Sequence, residues 1–311
     1  EESVLRKTLP YLTYLIISSF YIDEHGNFHE KNDDRIIEYA KTYGVAPILT
    51  ISYHNKGAKS GTDILHLILN NENLRNATIE GIISILVRKG YSGVNMSPTY
   101  IYPSDRKLYI GFVEELSRCV NELGLVMVDT IVPSTFGIIL DVFSTKTYIY
   151  EVNQFVDKSI IFPFNVGINV VEPTGSASYH ALIDMIQYTL DYINTLKLEL
   201  GINTVGYMWE LPYIPGVSEG NAISVTSAIQ LARDYSIPIR FDIGTQAAFF
   251  SYQDGDREFL IRFRDARSVA TYMSVVDEYG LNGIGVWNIT TFFNGLWLII
   301  NSQYNIDKVD L

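Results

Sequence analysis

The sequence predicts an α/β fold, a TIM-type (β/α)8 barrel, on three observations. Short β-rich runs alternate with longer helical patterns along the chain, the rhythm of strand–helix units. Most of the β-rich runs are solidly apolar, as befits parallel strands buried on both faces; an antiparallel sheet with one wet face would alternate. The 311 residues, 47% hydrophobic and 19% charged, suffice for one large core. We therefore expect a single barrel domain over residues 1–311.

Ser3–Thr8 reads as the first helix, so the first barrel strand is not evident in this chain. That strand is expected upstream of residue 1, with the tail Gln303–Val309 as a possible filler of the gap. Strands are predicted at Leu12–Ser18, Ala46–Ser52, Gly93–Ser97, Leu125–Val132, Ser159–Phe164, Leu198–Asn203 and Gly283–Trp287. Between them, helices are predicted at Asp33–Tyr43, Glu72–Lys89, Ser104–Leu123, Ser176–Asn194, Ile223–Tyr235 and Asp265–Tyr279. Ser104 with Asp105, Ser176 and Ser224 are suitable helix caps. Ile237–Phe263 breaks the rhythm. Its turn Gln253-Asp254-Gly255-Asp256 separates two strand-like runs, which predicts a small β-rich insertion before the last helix and strand. Pro212–Gly220 is read as a loop.

A net charge of −12 repels phosphate backbones, which argues against nucleic-acid binding. Apolar runs such as Ile160–Phe164 and Leu296–Ile300 are too short to span a bilayer. Glu1-Glu2-Ser3 opens directly into a helical pattern, so no signal peptide is expected at this start. The single cysteine, Cys119, allows no disulfide framework, and His25, His29, His54, His66 and His180 show no metal-ligand spacing. Neither a metal nor a cofactor is expected.

Several stretches carry more specific information. Leu9-Pro10-Tyr11-Leu12-Thr13-Tyr14-Leu15 precedes or opens the first predicted strand. Pro103-Ser104-Asp105-Arg106-Lys107-Leu108-Tyr109 has the form P-x-D-R-x-x-Y. Gly206-Tyr207-Met208-Trp209-Glu210-Leu211-Pro212-Tyr213 is close to G-Y-D-W-T-L-P-Y. Thr245-Gln246-Ala247-Ala248-Phe249-Phe250 is close to A-Q-A-P-F-F, and Phe263-Arg264-Asp265-Ala266-Arg267-Ser268 to F-E-D-A-R-S. Gly283-Ile284-Gly285-Val286-Trp287 is close to G-I-x-Y-W. In this order and at this spacing, the stretches resemble glycoside hydrolase family 18. Within it they resemble the chitinase-like bacterial spore-cortex N-acetylglucosaminidase branch, often joined to LysM modules.

The resemblance implies chemistry that this chain does not retain. The family carries Asp-Gly-x-Asp-x-Asp-x-Glu on its catalytic strand. Aligned on Gly93, those acids are replaced by Ser92, Asn95, Ser97 and Thr99. Residues two apart on a strand share a face, so the family's acids line the barrel interior and the last reaches its open mouth. The family's last Glu protonates the glycosidic oxygen, and the preceding Asp orients an acetamido group that serves as the nucleophile. A threonine hydroxyl has no proton to give near neutral pH, so Thr99 is no general acid. The family's Met-x-Tyr-Asp/Glu on the sixth strand becomes Phe162, Pro163, Phe164 and Asn165. A tyrosine and an aspartate of the seventh-strand motif become Val205 and Met208. Pro98 and Pro163 are expected inside strands at corresponding mouth positions.

Trp287 matches the tryptophan that floors the family's central sugar subsite. With Tyr100, Phe162, Phe164, Asn165, Tyr207 and Trp209 it makes up the expected sugar-binding cleft. Three functions are open. The first is a catalytically degenerate protein that binds or scaffolds an N-acetylglucosamine-containing glycan, peptidoglycan-like or chitin-like. The second is an active hydrolase with a relocated acid, either Glu210 in the loop after the seventh strand or Asp129 in the run Leu125–Val132. The third is a structural spore or envelope component that binds no sugar. The resemblance further implies an extracytoplasmic place, at a bacterial cell wall or spore envelope, and a LysM or other cell-wall module upstream.

Overall fold

The computed structural model describes residues 2–53, 60–98, 100–131, 146–163, 179–215 and 217–309, with backbone alone for 146–148. In chain order its elements begin α1 (Glu2–Thr8), β1 (Tyr14–Ile22), β2 (Phe28–Glu30), α2 (Asp34–Thr42), β3 (Ala46–Tyr53), α3 (Gly61–Asn70) and α4 (Glu72–Lys89). They continue with β4 (Gly93–Met96), α5 (Arg106–Glu122), β5 (Val126–Ile131), α6 (Lys146–Asn153), β6 (Lys158–Ile161), α7 (Tyr179–Leu190) and β7 (Leu198–Asn203). The last part holds β8 (Val205–Leu211), β9 (Asn221–Ser224), α8 (Val225–Asp234), β10 (Arg240–Asp242), β11 (Ala247–Asp254), β12 (Arg257–Phe263), α9 (Ala266–Tyr279), β13 (Gly283–Trp287) and α10 (Asn294–Gln303). Among the described residues no helix is long and apolar enough to cross a membrane.

The chain forms two compact units. The first comprises Leu12–Ile161, Tyr192–Leu198 and Ile306–Leu311. Its parallel strands run β1–β3–β4–β5–β6, with β2 antiparallel on the outer edge of β1. Ala46–Leu49 of β3 and all of β4 are buried, as expected for strands covered on both sides. Helix α4 starts where the Asn71 side chain accepts the Leu74 N–H, and stops at Gly90, whose φ of 70° suits a residue without a Cβ. Lys89, in its last turn, is 5% exposed and ion-paired at 2.7 Å to both Glu30 and Asp33, and also to Asp34. Ser19 and Tyr91 hydroxyls donate to the same Asp33 carboxylate. Burial pushes the Asp33 carboxyl up, but these partners outweigh it and hold it below the usual carboxylate range. The three acids could hold a cation; the Lys89 ammonium stands in that role.

The second unit comprises Glu1–Tyr11, Phe162–Asp191 and Glu199–Asn305. In it β7 and β13 pair in parallel, Gly201 opposite Gly285 and Asn203 opposite Trp287. An antiparallel sheet runs β10–β11–β12–β8–β9. Gly255, with φ 62°, makes the tight turn that joins β11 to β12. Asp265 caps α9 by accepting from the N–H groups of Arg267 and Ser268. Tyr11 stacks on Trp297 of α10 with ring centroids 5.5 Å apart.

The seven predicted strands correspond to β1, β3, β4, β5, β6, β7 and β13. Four expectations are corrected. The antiparallel sheet is not confined to 237–263, because β8 and β9, from the G-Y-M-W-E-L stretch and residues 221–224, extend it. Pro98 and Pro163 lie beyond the ends of β4 and β6 rather than inside them, since proline offers no N–H to a ladder. The tail residues 304–309 form no strand; the Val309 N–H donates to Gly44 O and Lys308 Nζ to Leu12 O. Asp105 does not cap α5 with its side chain, which is committed elsewhere. Ser176 lies outside the described residues.

Candidate functional site

Strand β4 lies in the stretch expected to align with the family signature. Gly93 is required where it stands, because a Cβ there would collide with the Val126 carbonyl. Asn95 is 4% exposed and lies between Thr50 of β3 and Val128 of β5 in register. Its Oδ1 accepts from Thr130 Oγ1 at 2.9 Å, and its Nδ2 reaches Thr50 Oγ1 at 3.4 Å. A buried polar side chain needs such partners, and a neutral ladder Thr50–Asn95–Thr130 supplies them without any charge. Ser92 is half-buried and Ser97 exposed. Thr99 lies outside the described residues.

Asp129 does not join that ladder. Thr130 meets Asn95, so alternation along β5 turns Asp129 to the opposite face. Its register partner is Ser159, which accepts from Asn153 of α6 at 3.2 Å. Asp129 therefore faces the helix layer, which removes the geometric basis for its use as a relocated acid. At 4% exposure, burial pushes its carboxyl up to about 7, with the Thr130 backbone N–H opposing.

Just past β4, aromatic rings meet edge to face. Tyr100 packs against Tyr102 at 5.8 Å, and Tyr102 against His66 at 5.4 Å. The Tyr102 hydroxyl donates to Asp63 Oδ1 at 2.7 Å. His66 Nδ1 lies 2.6 Å from Asp105 Oδ2, and Asn70 Nδ2 donates to Asp105 Oδ1 at 2.9 Å. Asp105, buried at 2% exposure, thus orients the His66 ring. The pairing was missed from sequence because the two residues stand 39 apart; the P-x-D-R motif was the one signal at that spot.

In the second unit, Trp287 ends β13 half-buried. Its carbonyl accepts the Thr204 N–H at 2.9 Å, and the Thr204 hydroxyl both accepts the Asn288 N–H at 3.1 Å and donates to Asn288 O at 2.5 Å. These bonds fix the backbone that presents the indole. Phe162, 7% exposed, covers Gly201, and a Cβ on Gly201 would enter its ring. Gly201 and Asn203 share a face of β7, and Trp287 is level with Asn203, so Phe162 and Trp287 belong to one face. Phe164 and Asn165 lie outside the described residues.

Strand β8 separates the remaining candidates. Tyr207, Trp209 and Leu211 alternate with Met208 and Glu210 across its two faces. Tyr207 is half-buried, and burial raises its hydroxyl above the usual phenol range. Trp209 is 2% exposed and lies against Gly220, so its ring serves packing and offers no face to a ligand. Glu210 is on a strand, not in a loop, because β8 pairs with β12 from Tyr207 to Leu211. It is exposed, stands on the face opposite Tyr207, and lies 3.9 Å from Arg257. It shares no face of β8 with Tyr207 or Trp209.

A match to glycosyl hydrolases family 18 spans residues 3–291. The cortical fragment-lytic enzyme of Bacillus anthracis is 28% identical over 314 residues, covering 99% of this chain and 72% of that protein. The enzyme of the same name from Bacillus subtilis (strain 168) is 26% identical, covering 99% and 71%. Among solved structures, the spore cortex-lytic enzyme SleL of Bacillus cereus superposes with a TM-score of 0.89 at 26% identity, covering 99% of this chain and 71% of that one. A chitinase from Chromobacterium violaceum ATCC 12472 shares the fold at a TM-score of 0.85 and 18% identity, covering 96% and 94%. The α/β barrel-type fold expected from sequence is thereby shown.

Proposed function

The chain belongs to glycosyl hydrolases family 18, and we propose that it binds or scaffolds an N-acetylglucosamine-containing glycan without hydrolysing it. The observation that carries the reading is the neutral ladder at Asn95, in a stretch of sequence where Ser92, Asn95, Ser97 and Thr99 stand at the signature positions that the resemblance implies. Losing one positioned acid or base costs on the order of 10²–10⁴ in rate, and here the acid and the orienting carboxylate are both replaced. The two acids that could stand in are poorly placed: Glu210 on the far face of β8 and Asp129 toward the helices. Trp287, held by Thr204, supplies a flat apolar face of the kind on which a sugar ring stacks. The match to glycosyl hydrolases family 18 and the relatives named as cortical fragment-lytic enzymes support the glycan class, and the similar structure named as a spore cortex-lytic enzyme supports a place at a bacterial spore envelope.

Two measurements on the same preparation test this. Calorimetry with N-acetylglucosamine oligomers is expected to show binding that Trp287→Ala weakens at least tenfold. A fluorogenic N-acetylglucosaminide is expected to turn over no faster than in buffer. Absence of heat at millimolar sugar refutes glycan binding, and turnover above buffer that survives repurification refutes the loss of hydrolysis.

A further inference from the structure

We propose that Arg264 forms a subsite for a sugar carboxylate beside the strand end that carries Trp287, so that the preferred glycan contains an acidic sugar. The inference rests on the glycan-binding reading above and specifies which glycan it takes.

Arg264 is 8% exposed. Among the described residues its guanidinium has one partner, the ring of Tyr272 in α9, 4.8 Å from the guanidinium carbon. A π face returns part of what a guanidinium loses on leaving water, but it fills none of the five N–H directions. A buried cation is ordinarily matched by a carboxylate. The neighbouring acid does not serve: Asp265 Oδ1 accepts from the Arg267 and Ser268 N–H groups, and its Oδ2 accepts from Arg267 Nε at 2.9 Å. The nearest arginine on β12 is only partly matched. Arg262 Nη1 reaches Asp242 Oδ2 at 3.2 Å, whereas its Nε is buried without a partner among the described residues.

Backbone register brings residue 264 near the strand end that carries Trp287. Gly206 of β8 lies against Phe263, so the next residue, Arg264, stands level with Val205. Val205 directly follows Thr204, whose N–H donates to the Trp287 carbonyl. The sequence makes the same point, because the motif this stretch resembles, F-E-D-A-R-S, has an acid where this chain has Arg264. A neutral chitin-type oligomer offers nothing to match the reversed charge. A sugar carrying a lactyl ether or a uronate carboxyl does, and an Arg fork takes such a group in two parallel hydrogen bonds.

The test is calorimetry with four probes: chitobiose, the disaccharide of N-acetylglucosamine and N-acetylmuramic acid, its carboxamide, and a disaccharide of N-acetylglucosamine and glucuronic acid. We expect at least one acid to bind tenfold or more tightly than the carboxamide and chitobiose; the tighter acid identifies the carboxyl's source. Arg264→Gln is expected to abolish that preference while leaving chitobiose affinity within twofold, and Arg264→Lys to keep part of it. Thermal melts verify that both variants fold. Equal binding of acid and carboxamide overturns the subsite and leaves glycan binding standing. So does an equal loss of all four probes in folded Arg264→Gln, which would mark Arg264 as packing. No heat from any probe overturns glycan binding and the subsite with it.

Discussion

At Asn95 a carboxamide does what a carboxylate cannot do without charge: it accepts from Thr130 and donates toward Thr50 in a buried strand. Asn95→Ala leaves the Thr130 hydroxyl buried without its acceptor, and we expect a loss of about 1–3 kcal/mol in urea unfolding. Asp129, one residue from Thr130 but on the other face, should instead govern how stability depends on pH. Its folded-state carboxyl titrates at about 7, above the ordinary value of 3.8. Below pH 4 both folded and unfolded chains carry the proton, and its contribution to stability is fully present. As pH rises toward 7 the unfolded chain ionises first, so stability falls, by at most about 1.4 kcal/mol per pH unit from this group. Asp129→Asn is expected to flatten that fall in urea midpoints measured between pH 4 and 7. An unchanged slope would mean that another group controls it. Neither role was legible from residue type alone. Asn95 stood out because the signature aligned on Gly93, whereas the face of Asp129 required the register of β4, β5 and β6.

At the scale of elements, the strands and most helices followed from periodicity and caps, which are local properties. Missed were α3, α6 and α10, the last because its run 294–303 is short and apolar around much of its surface. The strand β8 was missed because an antiparallel strand is defined by a distant partner, here residues 258–262. The same distance hid the Lys89 cluster, which draws Ser19, Glu30, Asp33, Asp34 and Tyr91 onto the end of α4. Lys89→Met strands the buried Asp33 carboxylate, so we expect a loss on the order of 3–5 kcal/mol near pH 7. Asp33 and Glu30 are both held below their ordinary values. Their contribution is therefore present above the unfolded pKa and lost as pH falls, and the difference between wild type and variant should narrow on acidification. Gly201→Ala drives a methyl into Phe162 and should lower the melting temperature by several degrees.

For the whole molecule, each compact unit is assembled from three separate segments of chain. A cut after Ile161 removes from the first unit both residues 192–198 and the tail. With them go the Lys197 Nζ bonds to the Asn153 and Val156 carbonyls and the Lys308 bond to Leu12 O. A fragment of residues 12–161 should consequently unfold at lower urea and with a shallower transition than the full chain; equal midpoint and slope would show that the returning segments are dispensable. One domain over residues 1–311 remains our proposal. The charge of −12 also belongs to this scale, and against it a buried arginine without a carboxylate partner among the described residues, such as Arg264, is the more conspicuous.

The sequence by itself determined the strand–helix rhythm, the family resemblance and which residues, Ser92, Asn95, Ser97 and Thr99, stand in the stretch aligned on Gly93. Each of these depends on residue identity and short spacing, which a chain carries whatever its folded form. Only the tertiary structure decided that Glu210 lies on an exposed strand face, that Asp129 faces the helices, that Trp209 is enclosed, and that Arg264 is buried with a single ring for a partner among the described residues. Those properties depend on strand register and on contacts between residues far apart in sequence. A shift of one residue in a pairing inverts every side chain on the strand, so no local pattern could have fixed them.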